Sequence, residues 1–406
     1  MIYEKIASYI DESLEKCTRF NPEDEGTLIG LPYPYSVPCA SDMFQELYYW
    51  DTYFTNKGLV VRGDLEQARN NVNNMIYLIE KYGFMLNGSR TTYLFNSQPP
   101  FLSIMVRDIY EVDQDKEWLK KAYAALKKEH AFWMTNRKSE NGLNRYDCMP
   151  LTEERIKVGS SMLIRRLGFR PEGTDGELAR SLFSGGESGW DMNPRMTYET
   201  YRHTPADLNS LLFAMEENLA YFAAELGEDA DIEGWKKCRD ERATLCRTYL
   251  KGDDGLFYDY QVEKKERSKV KSVACFYPLF CGMATQEEAE AARNMLPALE
   301  TAYGISTCEK NDVKGNYQWD YPNGWAPMQL IVVDGLLKYG YREDALRIAE
   351  KFLNTIVRGY EKTGHFWEKY NIEDGSTEAV DEYDMPTMMG WTFGIYTVFS
   401  KLLGRS

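Results

Sequence analysis

Histidine is scarce in this 406-residue chain: three occur, at positions 130, 203 and 365. Chemistry that relays protons through paired imidazoles is therefore poorly supplied. Positive charge is also in deficit, with 48 Lys and Arg against 63 Asp and Glu and a net charge of -15. That excludes nucleic acid and an anionic membrane surface as expected partners, since either needs a basic patch. No apolar run is long enough to span a bilayer. The first ten residues, Met1 to Ile10, lack a basic region followed by an apolar stretch. No secretory signal is expected, and a cytoplasmic location follows from that reading. The eight cysteines (17, 39, 148, 238, 246, 275, 281 and 308) are scattered without a C-x-x-C pair. Neither a metal site nor a disulfide framework is expected, and reduced thiols fit the cytosol. No tract rich in Pro, Ser or Gly divides the chain, so residues 1–406 read as a single domain.

What is present is mostly helical periodicity. Leu65, Ala68, Val72, Met75, Ile76 and Ile79 share one face, and Gly83 follows as a stop. Thr204-Pro205 reads as a helix start, followed by Leu208, Leu211, Leu212, Met215, Leu219, Phe222 and Leu226 up to Gly227. Similar stretches cover residues 2–17, 115–136, 232–250, 285–298, 326–339, 343–357 and 388–403, with weaker ones near 48–61, 100–112 and 270–282. Few segments alternate with period two; Gly255 to Tyr260 reads as part of a small hairpin. Paired helices of this kind suit an α/α barrel, a bundle or a solenoid. Residues 137–203 break the rhythm and read as a long, loop-rich segment of the kind that carries function.

Aromatic rings and carboxylates cluster at turns. Gln318-Trp319-Asp320-Tyr321-Pro322-Asn323-Gly324-Trp325-Ala326-Pro327 packs two indoles, a carboxylate and two amides into ten residues. Flat apolar rings beside fixed hydrogen-bonding groups suit a sugar, whose ring has an apolar face and a polar rim. Further carboxylates lie in Glu46 to Asp51, in Glu187-Ser188-Gly189-Trp190-Asp191, and in Glu368 and Glu382. Cleavage of a glycosidic bond needs two carboxyls, one to protonate the leaving oxygen and one to activate water or attack carbon. Trp190 before Asp191 and Trp367 before Glu368 supply apolar neighbours that raise a carboxyl pKa. The Gly185-Gly186 pair is no phosphate loop, because no Lys-Ser/Thr follows it.

These motifs together resemble the trehalase family of glycoside hydrolases. Gln318 to Pro327 matches one family signature without a break, and Phe44 to Tyr53 resembles the second half of another. Tyr82 to Arg90, Ser97-Gln98-Pro99-Pro100, Arg170-Pro171-Glu172, Glu187 to Asp191, Glu368-Lys369-Tyr370, Glu382-Tyr383 and Gly390-Trp391-Thr392 occur in the family's order. The resemblance runs from about residue 38 to residue 394. It implies an all-α fold, an (α/α)6 barrel or six-hairpin toroid with few short strands in loops. It implies hydrolysis with inversion, with Asp191 as general acid and Glu368 as general base. Trp50, Asp51, Asn87, Gln98, Arg170, Glu172, Gly189 and Glu382 fall on sugar-binding positions. Trp190, Gln318, Trp319, Asp320, Trp325 and Trp391 join them as candidates for the sugar-facing wall. No metal and no organic cofactor is implied, and the partner is a small carbohydrate.

The chain departs from the family at Ala40-Ser41-Asp42-Met43, where the family has Pro-Gly-Gly-Arg, and at Asn96, where it has a second Arg. Met cannot replace an Arg fork on sugar hydroxyls. The expectation is a small α-glucoside as substrate, trehalose or a related α-linked compound, in a retuned pocket. Two other classes fit a helical barrel: a sugar isomerase or epimerase, recognised by products without bond cleavage, and a carbohydrate-binding protein that has lost activity, recognised by binding without turnover.

Overall fold

The computed structural model describes residues 2–40, 43–378, 384–387 and 389–405. Its helices run in chain order as α1 (Ile2–Lys16), α2 (Tyr49–Arg62), α3 (Leu65–Tyr82), α4 (Leu102–Asp113), α5 (Lys116–Asn136), α6 (Glu153–Leu167), α7 (Asp175–Ser188), α8 (Ala206–Leu226), α9 (Asp229–Tyr249), α10 (Tyr277–Phe280), α11 (Gln286–Asn294), α12 (Leu296–Leu299), α13 (Ala326–Lys338), α14 (Arg342–Thr363) and α15 (Gly390–Leu402). Six of them close a ring: α2 packs on α4, α4 on α8, α8 on α10, α10 on α13, α13 on α15, and α15 back on α2. Their partners stand outside, α3 against α2 and α4, α5 against α4 and α8, α9 against α8, and α14 against α13 and α15. This is the (α/α)6 barrel.

Residue pattern separates the two layers. In α13, Ala326 to Val333 are buried without interruption, and α8 is nearly as apolar around its circumference. In α14 the buried residues Ala345, Ile348, Ala349, Phe352, Leu353 and Ile356 recur at spacings of three and four, leaving a charged outer face. A helix apolar all round must be an inner one; an amphipathic helix covers it.

Closure of the ring depends on a glycine contact. A Cβ at Gly394 of α15 would lie 1.9 Å from the Phe54 carbonyl oxygen of α2, and one at Gly58 would lie 2.7 Å from the Gly394 Cα. Side chains here would push the two helices apart. Gly394→Ala is therefore expected to cost about 1–3 kcal/mol of stability through overpacking. The urea midpoint should fall accordingly, and an unchanged midpoint would mean that the seam yields freely.

Short strands tie the loops. β1 (Thr18–Arg19) pairs with β2 (Tyr35–Ser36). β3 (His203–Thr204), β4 (Tyr260–Gln261) and β5 (Glu266–Arg267) form a three-stranded patch, which realises the hairpin expected near Tyr260. β6 (Asn323–Trp325) pairs antiparallel with β7 (Lys369–Asn371), placing Trp325 opposite Lys369.

The segment 137–203 is less loop-like than its composition predicts. It contains α6 and α7, which pack on each other around a small core of Leu163, Leu167, Leu178, Leu182, Met192 and Tyr317. Its apolar stripe is narrow and interrupted by Arg and Gly, so the helical period is diluted. The start expected at Thr204-Pro205 falls one residue later, with Pro205 as the cap and Ala206 as the first helical residue. Among the described residues no helix is long and apolar enough to cross a membrane.

Candidate active site

The inner helices α2, α13 and α15 begin at one mouth of the barrel, and the loops that lead into them carry the aromatic motifs. A cavity of about 630 Å³ opens there. Trp50 and Asp51 reach it from the first turn of α2, Gln318, Trp319 and Trp325 from the approach to α13, and Trp391 from the first turn of α15. Asn87 and Gln98 line it from the loops before α4, Gly189 and Asp191 from the end of α7, and Glu368 from the residue before β7.

The floor is a cluster of indoles. Trp319 stacks on Trp325 with centroids 3.8 Å apart and planes 5° from parallel. Trp50 and Trp391 meet Trp319 at centroid distances of 5.5 and 6.2 Å. Trp190 lies behind this wall, fully buried, 6.1 Å from Trp319 and capped by the Arg195 guanidinium at 4.2 Å. It supports the floor and does not itself line the cavity.

Asp191 owes its place to the end of α7. Gly189 caps that helix at φ +74°, and a Cβ there would strike the Trp50 ring at 2.7 Å. Gly185, one turn earlier, leaves room for the Asp191 carbonyl oxygen, 2.5 Å from where its own Cβ would sit. The chain thus turns tightly back over its own helix and under Trp50, and the Asp191 side chain emerges at the cavity wall. Burial pushes the Asp191 carboxyl above its ordinary pKa, while the Arg166 guanidinium, 3.9 Å away, opposes the rise.

Glu368 is held differently. Its Oε2 accepts from Lys369 Nζ at 2.8 Å, both side chains being buried. The lysine also sits 4.7 Å from the Trp325 ring centre. Trp391 Nε1 donates to the Glu368 carbonyl at 2.9 Å, and Thr392 Oγ1 donates to the Trp367 carbonyl at 2.7 Å. The β6–β7 ladder and the start of α15 therefore fix this carboxylate against the signature loop. Trp367 turns its own Nε1 to Thr363 Oγ1 at 2.9 Å and does not line the cavity.

Asp51 is the third carboxyl. Burial first, then the nearby charges of Glu368 and Asp191, push it up to about 8. Folding therefore favours its protonated form, so the fold binds more protons than the unfolded chain between the ordinary carboxyl range and pH 8. Stability from this group is present at low pH and is lost as pH rises through the folded value. Asp51→Asn is expected to raise the melting temperature at about pH 8 and to leave it nearly unchanged at about pH 4. The ratio of the two shifts in differential scanning calorimetry checks this.

Two amide groups point to a ligand. Asn96 and Gln318 line the cavity, both are buried, and neither Asn96 Oδ1 nor Gln318 Oε1 has a hydrogen-bond partner among the described residues. A buried polar atom without a partner is costly, and a sugar hydroxyl would supply one. Gln98 and Asn87 are already anchored: Trp50 N–H donates to Gln98 Oε1 at 3.1 Å, and Asn87 Nδ2 donates to the Ser97 and Gly186 carbonyls at 3.1 and 3.0 Å.

Other expected residues are not brought together here. Arg170 lies beyond Gly168, the C-cap of α6, where the chain turns away; it is exposed and pairs with Asp175 at 2.9 Å. Glu172 is exposed on the same loop. Asp320 holds its own turn, accepting from Asn311 Nδ2 at 2.8 Å and from the Tyr321 N–H at 2.7 Å. Glu382 lies outside the described residues. Glu187, part of the carboxylate motif, is fully buried and structural, bonded to Arg137 and to the N–H groups of Ser97 and Asp147. None of the three histidines lines the cavity: His130 pairs with Glu216, His203 bonds the Glu199 carbonyl, and His365 is exposed. The isomerase alternative loses its proton carriers. Residues unforeseen in the sequence also face the cavity, notably Tyr48, Tyr93, Phe95 and, from α6, Arg155, Val158, Met162 and Arg166. A spacing of three and four along 155–166 was the available signal, obscured by the loop-like composition around it.

A ring of helix pairs closing on an indole-floored hollow lined by carboxyls is an architecture shared with known enzymes, and the comparisons show the class: this molecule is a glycoside hydrolase. Within that class it belongs to the trehalase family, whose model matches residues 3–404. A periplasmic trehalase of Xanthomonas axonopodis pv. citri (strain 306) is 34% identical, over 93% of this chain and 69% of its own. One of Escherichia coli O1:K1 / APEC is 31% identical, over 92% and 70%. The solved neutral trehalase Nth1 from Saccharomyces cerevisiae superposes with a TM-score of 0.77 at 29% identity, covering 95% of this chain and 76% of that one. A GH63 mannosylglycerate hydrolase from Thermus thermophilus shares the fold, with a TM-score of 0.66 at 16% identity over 97% and 99% of the two chains.

The bacterial relatives are named periplasmic, which overturns the cytoplasmic expectation. That expectation leaned on the first ten residues, read as lacking a secretory signal, and on unpaired cysteines. The eight are indeed free, but six are buried, and burial raises the pKa of thiols such as Cys17, to about 11, and Cys246, to about 12. Thiols kept protonated and covered persist without a reducing compartment.

Proposed function

We propose that the chain is one catalytic domain that hydrolyses a small α-glucoside with inversion, trehalose first among the candidates. The observation that carries this is the presence of Asp191 and Glu368 on the wall of one indole-floored cavity. Burial favours the protonated Asp191 carboxyl, which suits a general acid. Lys369 Nζ donates to Glu368 Oε2 at 2.8 Å and so holds this carboxyl in place on the cavity wall, which suits a general base. In the reaction Asp191 gives its proton to the glycosidic oxygen as the bond from that oxygen to the anomeric carbon breaks. Glu368 takes a proton from water as the water oxygen bonds to the opposite face of the carbon. The sugar ring rests on the indoles, with Asn96 and Gln318 bonding its hydroxyls. Trehalose as substrate is supported by the names of the relatives, and related α-linked disaccharides are the next candidates.

Proton NMR of the first products tests the reading. An inverting attack on trehalose, α-linked on both sides, releases one α-glucose and one β-glucose in equal amounts before mutarotation. α-Glucose alone would mean retention and a different role for Glu368.

A further inference from the structure

The cavity wall is chemically uneven. On the side of Glu368 it is indole and amide, from Trp319, Trp325, Trp391 and Gln318. On the side of Asp191 it is built by α6, α7 and residues 91–96, and there Phe95, Val158, Met162, Leu182 and Phe183 give it apolar surface. We infer that this second side is a binding wall for an apolar leaving group, and that the chain hydrolyses α-glucosides of aliphatic alcohols in addition to α-linked sugars. The inference rests on the reading of Asp191 as general acid, because the acid stands beside the leaving oxygen and the groups around it face the leaving half of the substrate.

The surroundings of Asp191 place this wall. The Arg166 guanidinium that meets Asp191 stands on the same face of α6 as Met162 and Val158, one and two turns earlier. A Cβ on Gly186 would lie 3.9 Å from Asp191 Oδ1 and 4.0 Å from Asn96 Nδ2, so the 91–96 segment borders the acid as well. Phe95 meets the Phe183 ring of α7 edge-on, with centroids 4.8 Å apart. Gly159 lets α6 close on that ring, since a Cβ there would lie 2.8 Å from it. The apolar groups therefore form one surface.

Three features suit that surface to an alkyl chain. Val158 is 51% exposed and Leu94, beside Phe95 in the chain, is 41% exposed, two of the five large apolar side chains so exposed among the described residues. Single exposed apolar residues are ordinary, but a contiguous patch at the mouth of a cavity marks a binding surface. Arg155, on the same stripe of α6, is turned onto the wall, 4.1 Å from the Phe95 ring centre and donating to the Thr92 carbonyl at 3.1 Å. Where the family carries an arginine, this chain has the shorter, uncharged Asn96. Hydroxyls laid on apolar groups lose water without gaining partners, whereas an alkyl chain gains from each methylene it buries.

Hydrolysis of such a glucoside yields glucose and the alcohol. The bond from the anomeric carbon to the alcohol oxygen breaks, the Asp191 proton passes to that oxygen, and water supplies the new hydroxyl.

The test is kcat/KM for methyl, butyl, hexyl and octyl α-glucoside, each below its micelle concentration, beside trehalose. Each added methylene should raise kcat/KM about threefold until the wall is covered, so that octyl exceeds methyl by about thirtyfold or more. Val158→Asn with Met162→Gln should cut the octyl-to-methyl ratio to about threefold or less. Phe20→Asn, at an exposed apolar residue that does not line the cavity, should leave the ratio unchanged. Asp191→Asn should lose octyl glucoside and trehalose turnover alike, since both leaving groups are alcohols. A flat series, or no turnover of alkyl glucosides by an enzyme that cleaves trehalose, would overturn the apolar wall, and so would a rising series that the double change leaves intact. Turnover of neither trehalose nor any alkyl glucoside would instead overturn the α-glucosidase reading, and full turnover by Asp191→Asn the acid assignment, so the failures are separable. Circular dichroism and melting of each variant confirm that a folded protein is being compared.

Discussion

Asp191→Asn and Glu368→Gln should each lower kcat on trehalose by about 10²–10⁴-fold or more, the range that proton transfer by a positioned carboxyl contributes. The two losses should differ in kind. Asparagine cannot protonate a leaving oxygen, yet it preserves the shape of the turn made by Gly185 and Gly189. Asp191→Asn should therefore melt close to the parent and retain more activity on an aryl glucoside than on trehalose. Glutamine at 368 cannot take a proton from water and removes the carboxylate that faces the buried Lys369 ammonium. Weakening a buried pair leaves a charge poorly compensated, so Glu368→Gln should lose stability as well as turnover and should gain nothing from a better leaving group. An Asp191→Asn enzyme that turned over trehalose nearly as fast as the parent would remove that residue from the acid role. A Glu368→Gln enzyme rescued by the aryl substrate would exchange the two assignments.

Glu187→Ala should be the most destabilising carboxylate substitution near the site, although this side chain lies only four positions before Asp191. Glu187 Oε1 accepts from Arg137 Nη2 at 2.9 Å and from the Ser97 N–H at 2.7 Å, while Oε2 accepts from Arg137 Nε at 2.9 Å and from the Asp147 N–H at 2.7 Å. Arg137 is itself 2% exposed. Truncation strands a buried guanidinium and two backbone donors, a cost of about 3–5 kcal/mol by analogy with broken buried pairs. The denaturant midpoint should fall in proportion, and activity should fall with it, because the Ser97 loop carries Gln98 and supports Asn87. Replacing Arg137 as well, with Glu187→Met and Arg137→Met together, should cost less than the sum of the single changes. A Glu187→Ala protein of parental stability with impaired turnover would instead make Glu187 a direct participant.

That contrast explains what could be read without coordinates. Both Glu187 and Asp191 sit in one Gly-rich aromatic motif, and local composition treats them alike. Only the neighbours supplied by other chain segments, Arg137 and Asp147 for one and Trp50 and Arg166 for the other, divide the buried strut from the carboxyl on the cavity wall. Arg170 shows the same limit in reverse. Its motif suggested a sugar contact, but the helix before it stops at Gly168 and the loop carries it outward to Asp175. Arg166, four residues earlier, has no motif to mark it and faces the cavity because α6 forms within a segment whose narrow apolar stripe looked like loop.

Helical period, stops at Gly83 and Gly227, and the contrast between α13 and α14 were written in residue order, since burial on all sides or on one is a local pattern. The indole and carboxylate motifs were equally legible, because each is contiguous. Closure of six inner helices into a ring was not, for it depends on α2 meeting α15 across more than three hundred residues at Gly58 and Gly394. Nor was the separation of Glu187, a buried strut, from the carboxyls that line the cavity, because the pKa and the bonding of a side chain depend on what surrounds it, and folding brings those surroundings from elsewhere in the chain.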